Sequence, residues 1–207
     1  MTLNEILRIP QHKGKRYSLN SFDLKNKECV GHTEGRLQIC KAHAIDDNNV
    51  ILYGLFDAKN ILLSSIMGVF FSLDGTSTFA VKDALTPVAQ QKKGYATSLY
   101  VFLVKDLNIR LLSDVEQTPQ GESLWRSIQK VVPVKIYDTA TKKILQSNAI
   151  NDEEIYTLDK EQNRYLFITE NWLSEGMIEL QKQTHISGEI LARHIIYTHS
   201  AVKGEYD

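Results

Sequence analysis

The sequence lacks the features that mark secreted and membrane-spanning proteins. Its 207 residues include 2 cysteines, and the N-terminus lacks the basic segment and apolar run of a secretory signal. We therefore expect a reducing, cytoplasmic environment. The longest apolar run, 61–73, is broken by serines and a glycine and is too short to span a bilayer, so no membrane segment is predicted.

An excess of charge is also missing. The 24 basic and 25 acidic residues leave a net charge of −1, which gives no general attraction to nucleic acid or to an anionic membrane. The basic run 12–16 is small and indicates a solvated loop. No Walker-type phosphate loop and no serine nucleophile elbow occurs. Cys40 and His43 have no second ligand pair at zinc-like spacing, so no metal site is predicted.

The first half of the chain contains a series of strand-like segments. Apolar residues alternate or run continuously in 37–42, 50–56, 61–71 and 78–85, with turn-forming residues at 57–60 and 74–77. This order predicts an antiparallel meander. In its last strand, Phe79, Val81, Asp83 and Leu85 are predicted to share one face, and Pro87 ends the strand.

A loop and a helix follow this meander. Apolar residues cover nearly the whole circumference of a predicted helix over 96–107, which is typical of a buried helix. The helix start offers unpaired N–H groups and partial positive charge to an anion. Gly94 allows close approach of a ligand, and Lys92 and Lys93 add positive charge. The loop is therefore predicted to bind a phosphate or pyrophosphate.

Further elements are predicted after the helix. Residues 108–113 form a strand, parallel to the one before the helix. Thr118 caps a second helix that begins at Pro119. Residues 134–138 and 143–145 form a hairpin that closes the sheet, 165–168 form a strand, and helices are predicted around 172–180 and from Ser187 onward.

The motif Gln91-x-x-Gly94-x-Ala96, between a strand and a buried helix, resembles the acyl-CoA pyrophosphate loop of the GNAT superfamily of N-acyltransferases. A second family segment, Asn-x-x-Ala-x-x-Leu-Tyr, has the spacing of Thr118, Gly121, Leu124 and Trp125. Many members place a tyrosine where Trp125 stands, to protonate the leaving thiolate, and an indole does not ionise usefully there. The sequence of residues 118–125, followed by that of 134–138, is similar to GNAT-like proteins encoded by bacteriophages.

This resemblance implies a fold, a domain division and a cosubstrate. The implied fold class is α/β (mixed α+β), a GNAT-like mixed sheet with helices on both faces. The implied domains are residues 1–150, which bind acyl-CoA, and a C-terminal extension, 151–207, packed on this core. The implied cosubstrate is acetyl-CoA, and the implied partner is an amine acceptor, in the host cytoplasm if the protein is phage-encoded. The predicted cosubstrate-binding residues are Gln91, Lys92, Lys93, Gly94, Tyr95, Ala96, Thr97 and Thr118.

Two catalytic candidates lie at the ends of the strands that flank the first helix. Asp83 is predicted to act as a base or to orient the amine, and either water or Ser113 is the candidate proton donor for the thiolate. Each residue also has an ordinary interpretation, Asp83 as a solvent-facing or paired strand aspartate and Ser113 as a turn residue. The alternative to an acyl-CoA-dependent N-acyltransferase is therefore a catalytically inactive binding or structural module, such as one encoded by a phage.

Overall fold

The computed structural model describes residues 18–33, 35–114, 118–146 and 165–169. Within these ranges the chain forms one nine-stranded mixed sheet and two α-helices. The strands are β1 Glu28–His32, β2 Gln38–His43, β3 Val50–Phe56, β4 Leu62–Leu73, β5 Thr76–Leu85, β6 Arg110–Leu112, β7 Val134–Asp138, β8 Lys143–Leu145 and β9 Tyr165–Thr169. The helices are α1 Tyr95–Lys105 and α2 Pro119–Gln129.

The sheet runs in the order β1-β2-β3-β4-β5-β6-β9-β7-β8. Strands β1 to β5 pair as antiparallel neighbours, so the predicted meander is confirmed. The predicted parallel pairing across a helix is also confirmed, because α1 connects β5 to the parallel strand β6. Strand β9 lies between β6 and β7 and is antiparallel to both, so residues 165–169 belong to the interior of the sheet.

Both helices pack on the same face of the sheet, which we call the helix face. Leu99 and Leu103 of α1 and Trp125 and Ile128 of α2 share one buried cluster with side chains of β2 to β7 and of β9. On the opposite face, which we call the second face, the segment 18–24 packs against part of the sheet. Phe22 of that segment is buried in a separate cluster with residues of β2 to β7 and of β9.

The predicted α/β architecture with helices on both faces is therefore wrong. The described chain is dominated by one nine-stranded sheet, and its two α-helices lie on one side of it. The physical reason is that Phe22, with the half-buried Leu19 and Leu24, packs against apolar side chains of the second face from a segment with a short 3-10 turn and no α-helix. Strand β1 was also not predicted, because only Val30 of this edge strand is buried and the alternation signal is weak.

Several predictions fall on residues that the structure does not describe. They are the basic run 12–16 and the helices proposed around 172–180 and after Ser187. Within the described ranges, no helix is long and apolar enough to cross a membrane. The same part of the chain brings together no group of three or more histidine, cysteine, aspartate or glutamate side chains that would hold a metal ion.

Candidate functional site

The loop between β5 and α1 has an unusual backbone. After a 3-10 turn at Val88–Gln90, Lys92 and Gly94 both adopt positive φ, +61° and +80°. Gly94 is the N-cap of α1 and is left-handed, with ψ near 0°. A Cβ atom built on Gly94 would meet nothing within 4 Å, so glycine is present here for its backbone conformation and not because of crowding.

The backbone N–H groups from Lys92 to Thr97 have no acceptor among the described residues, whereas the next one, Ser98 N–H, donates to Gly94 O at 2.9 Å. Residues 91–94 are exposed and Tyr95, Ala96 and Thr97 are half-buried, so these donors lie at the surface. Together with the partial positive charge of an 11-residue helix and two lysines, they form an environment that favours an anion.

The side chains of the loop stabilise its shape. Gln91 Nε2 donates to Thr86 O at 3.1 Å, and Lys93 Nζ donates to Gln90 Oε1 at 3.0 Å. Thr86 is in turn 3.0 Å from Ser64, hydroxyl to hydroxyl, which connects the loop to β4. The Gln91 side chain therefore holds the loop against the end of β5.

The pairing of β5 with β6 is short. It covers Thr78–Ala80 opposite Arg110–Leu112, although β5 continues to Leu85. Beyond Ala80, β5 is paired with β4 only, among the described strands. Within the described ranges, the edge of β5 that faced β6 therefore has no strand partner just before the loop, which is what pairing with an extended ligand requires.

A β-bulge changes the direction of the side chains in this part of β5. Val81 is paired with Gly68 and Asp83 with Met67, so Lys82 is an extra residue. The prediction that Val81 and Asp83 share a face is therefore wrong. Val81 is buried in the cluster under the helices, whereas Asp83 lies with Met67 on the second face, because one extra residue reverses the alternation.

Lys82 itself forms an ion pair across the opening between the strands. Its Nζ lies 3.4 Å from Asp114 Oδ1, and the two side chains are 8% and 15% exposed. Ala80 and Leu112 are the last paired residues, so Lys82 and Asp114, two residues further on each strand, are joined by side chains where backbone bonds have ended. Burial lowers the pKa of Lys82, and the nearby carboxylate of Asp114 opposes that shift.

Asp83 lines a partly open pocket on the second face. The pocket encloses about 360 Å³ of empty space, which includes open solvent. Asp83 is exposed, and its Oδ1 accepts a hydrogen bond from Ala84 N–H at 2.8 Å. The lining residues are Ser18, Leu19, Phe22, Leu52, Ser65, Met67, Asp83 and Leu85.

The other predicted site residues have structural contacts. The hydroxyl of Ser113 is buried, accepts from Phe167 N–H at 3.0 Å and donates to Asp114 O at 3.2 Å. Thr118 is the N-cap of α2, as predicted, and its Oγ1 accepts from Gly121 N–H at 3.1 Å. The Ser113 hydroxyl would have to exchange its bond to Asp114 O to donate a proton to a thiolate, whereas Thr118 Oγ1 only accepts among the described residues, which leaves its O–H to donate to a ligand.

Trp125 is a core residue. Its ring stacks on Phe167, with 5.5 Å between centroids, and meets Tyr100 edge-on at 5.7 Å. It is 3% exposed. Burial raises the pKa of Tyr100, and the negative charge of Asp83 adds to that shift, so this phenol stays protonated at neutral pH.

Three features of this region were not predicted from the sequence: the bulge, the Lys82–Asp114 ion pair, and the contribution of the segment 18–22 to the pocket. A lysine within an alternating strand gives no sign that it is buried. Gly68, opposite the bulge, is a glycine inside a strand and could have indicated it, because an added Cβ there would clash with Ala80 O. Comparison of the chain with protein-family models and with curated proteins found no match.

Proposed function

We propose that this chain binds an acyl-CoA through the β5–α1 loop and transfers the acyl group to an amine. The observation that carries the proposal is the row of N–H groups from Lys92 to Thr97, which have no acceptor among the described residues, at the start of a buried helix and beside two lysines. A pyrophosphate has the charge and the acceptor oxygens to satisfy them. The resemblance of Gln91-x-x-Gly94-x-Ala96 to the acyl-CoA loop of the GNAT superfamily supports the choice of ligand.

The free edge of β5 supports the rest of the ligand. Between Val81 and Leu85 this edge has lost its β6 partner, so it can pair with the amide groups of an extended pantetheine arm, as peptides pair with exposed strands. A ligand bound in this way has its pyrophosphate at the loop. Its thioester then lies near the bulge, where the two strands separate.

The reaction requires few groups from the protein. An amine bound as an ammonium first loses a proton to solvent, and its neutral nitrogen then attacks the thioester carbonyl carbon. The carbon–sulfur bond breaks, the nitrogen gives a second proton to solvent, and the thiolate takes up a proton from solvent. Positioning of the amine and the thioester supplies most of the rate enhancement. In this proposal Asp83 holds the amine before attack, and solvent is the proton donor because the Ser113 hydroxyl is already bonded within the sheet.

Titration calorimetry with acetyl-CoA and with free CoA tests the binding step. We expect saturable binding of both, weakened by salt because the contacts are ionic. Release of free thiol in the presence of a panel of small amines tests the transfer step. Absence of binding at millimolar acetyl-CoA would refute both the binding step and the transfer step of the proposal.

One observation favours a second function, a module that binds CoA without catalysis. Trp125 fills the core between Tyr100 and Phe167, at the position where many acyltransferases of the similar family place a tyrosine, and Ser113 is engaged with β9. Neither of these two predicted positions then offers a group to the thiolate. Tight binding of CoA together with no thiol release for any amine would select this module over the enzyme.

A further inference from the structure

We propose that the Asp83 pocket on the second face binds a small primary amine with an apolar body, and that this amine is the acyl acceptor. The first part rests on the pocket alone. The second part rests on the proposed acyl transfer, and it specifies the substrate class that the transfer would use.

The walls of the pocket select an apolar body. Leu52 and Phe22 are buried, 3% and 4% exposed, and form a rigid part of the wall because they belong to the second-face core. Leu19 and Met67 are half-buried, and Leu85 is 44% exposed, so apolar surface remains open to solvent in the pocket. A hydrocarbon chain or ring that covers these side chains removes that surface from water.

The charge of the pocket selects a cation. Asp83 is the one charged residue in the lining, and no basic side chain of the described residues is within ion-pair distance of its carboxylate. Its neighbour Lys82 is paired with Asp114. An ammonium group is therefore favoured at Asp83, a carboxylate is repelled, and the hydroxyls of Ser18 and Ser65 offer further hydrogen-bond partners.

The pocket is small and partly open. Its space of about 360 Å³ includes open solvent, so the enclosed part is smaller. An arylalkyl or alkyl primary amine can place its body against the apolar walls while its ammonium group lies near Asp83. An aminoglycoside is too polar for these walls.

The position of Asp83 connects this pocket to the proposed acyl-CoA site. The β5–α1 loop leads into α1, which packs on the helix face, whereas the pocket lies on the second face. Asp83 is located past Ala80 and Leu112, where β5 and β6 are no longer paired. An amine on the second face and a thioester on the loop side would therefore meet beside the Lys82–Asp114 ion pair, which lies just past the end of the β5–β6 pairing.

The experiment is a calorimetric titration with phenethylamine in the absence of acyl-CoA. The comparison ligands are 2-phenylethanol, which has the same body without the charge, and 3-phenylpropionate, which has the opposite charge. We expect the amine to bind best and the acid not to bind. Because Asp83 is exposed, its replacement in Asp83→Asn should weaken amine binding by only about fivefold, without changing the affinity for the alcohol.

Two further variants complete the test. Leu85→Ser should weaken binding of the amine and the alcohol alike, because it removes apolar surface from the wall. Asp74→Asn, an exposed carboxylate in the turn at the other end of β5, should change nothing. All three positions are exposed, so the variants are expected to fold, and circular dichroism checks this.

Equal affinity for the amine, the alcohol and the acid, or an Asp83→Asn variant that binds the amine as well as wild type does, would overturn the inference. Its failure is distinguishable from that of acyl transfer. If acetyl-CoA binds and is consumed but the affinity for phenethylamine does not depend on Asp83, only the inference about the pocket is wrong. If phenethylamine binds as expected but acetyl-CoA does not bind at all, the pocket stands as an amine site and the acyl transfer is wrong.

Discussion

Replacement of Gly94 by valine separates ligand binding from protein stability at the β5–α1 loop. Gly94 has φ of +80°, a region that costs a residue with a side chain about 1 to 2 kcal/mol. No atom lies within 4 Å of the added Cβ, so steric clash contributes nothing. The loss of glycine also reduces the freedom of the unfolded chain, which offsets roughly 0.4 to 1 kcal/mol. We therefore expect Gly94→Val to lower the free energy of unfolding by about 1 kcal/mol.

The effect on acyl-CoA binding should be larger. The valine side chain is placed among the N–H groups of residues 92–97, where the pyrophosphate is proposed to approach. Loss of one charge-assisted hydrogen bond is worth about 1.5 to 3 kcal/mol, which is about tenfold or more in the dissociation constant. The affinity for acetyl-CoA should therefore fall by at least about tenfold in a variant that is still folded.

Gly75 provides a matched control. It has φ of +77° and, like Gly94, no atom within 4 Å of an added Cβ, but it lies in the β4–β5 turn at the opposite end of β5. Gly75→Val should show a similar stability loss in urea unfolding and an unchanged affinity for acetyl-CoA in calorimetry. If both variants bind acetyl-CoA as wild type does, or if both lose binding together, the assignment of the pyrophosphate to this loop is refuted.

Three further predictions concern groups around the site. Asp114→Leu should destabilise the protein by about 3 kcal/mol or more in urea unfolding, because it leaves the charge of Lys82, the more deeply buried partner, without this carboxylate. Lys82→Met should destabilise the protein by less, because it removes that buried charge. Trp125→Phe should cost about 1 to 3 kcal/mol and leave any thiol release in place, since the indole is a core ring; abolished turnover in a folded variant would contradict this. Cys29 and Cys40 are free and directly opposite each other on β1 and β2. Oxidised glutathione should join them, each thiol losing its hydrogen as the oxidant is reduced to two glutathione molecules; mass spectrometry with Cys29→Ser as control would detect the loss, and an unchanged mass would refute the pairing.

Local patterns were sufficient to predict most of the elements. The hairpin 134–138 and 143–145 and the strand 50–56 have the predicted bounds, because continuous apolar runs or alternation there end at clear turn residues. The N-cap at Thr118 was predicted for a similar reason, since a capping hydroxyl followed by proline acts within one turn. The start of α1 beside Gly94 is another local signal of this kind.

Arrangements that depend on distant residues were not predictable in this way. Strand β9 lies between β6 and β7 in the sheet, with Leu112 as a partner on one side and Val134 on the other. Nothing in the local sequence of 165–169 indicates this interior position. The prediction of helices on both faces was wrong for the same reason, because tertiary packing decides whether a helix or the segment 18–24 packs on the second face. At the site, the loop was predicted from its residues, whereas the direction of Asp83 was not.

The bulge at Lys82 explains why the direction of Asp83 matters. In a regular strand, Val81 and Asp83 would point the same way, and Val81 is packed under the helices. A carboxylate in that position would be buried beside apolar rings such as that of Tyr100 and would lose hydration without an ion-pair partner. The extra residue turns Asp83 to the solvent-exposed pocket and leaves Val81 in the core. Lys82 then pairs with Asp114 at the point where the backbone ladder ends. The same inserted residue thus makes an unpaired carboxylate tolerable and places it beside the opening between β5 and β6, which is where an amine must be held if it is to meet a thioester.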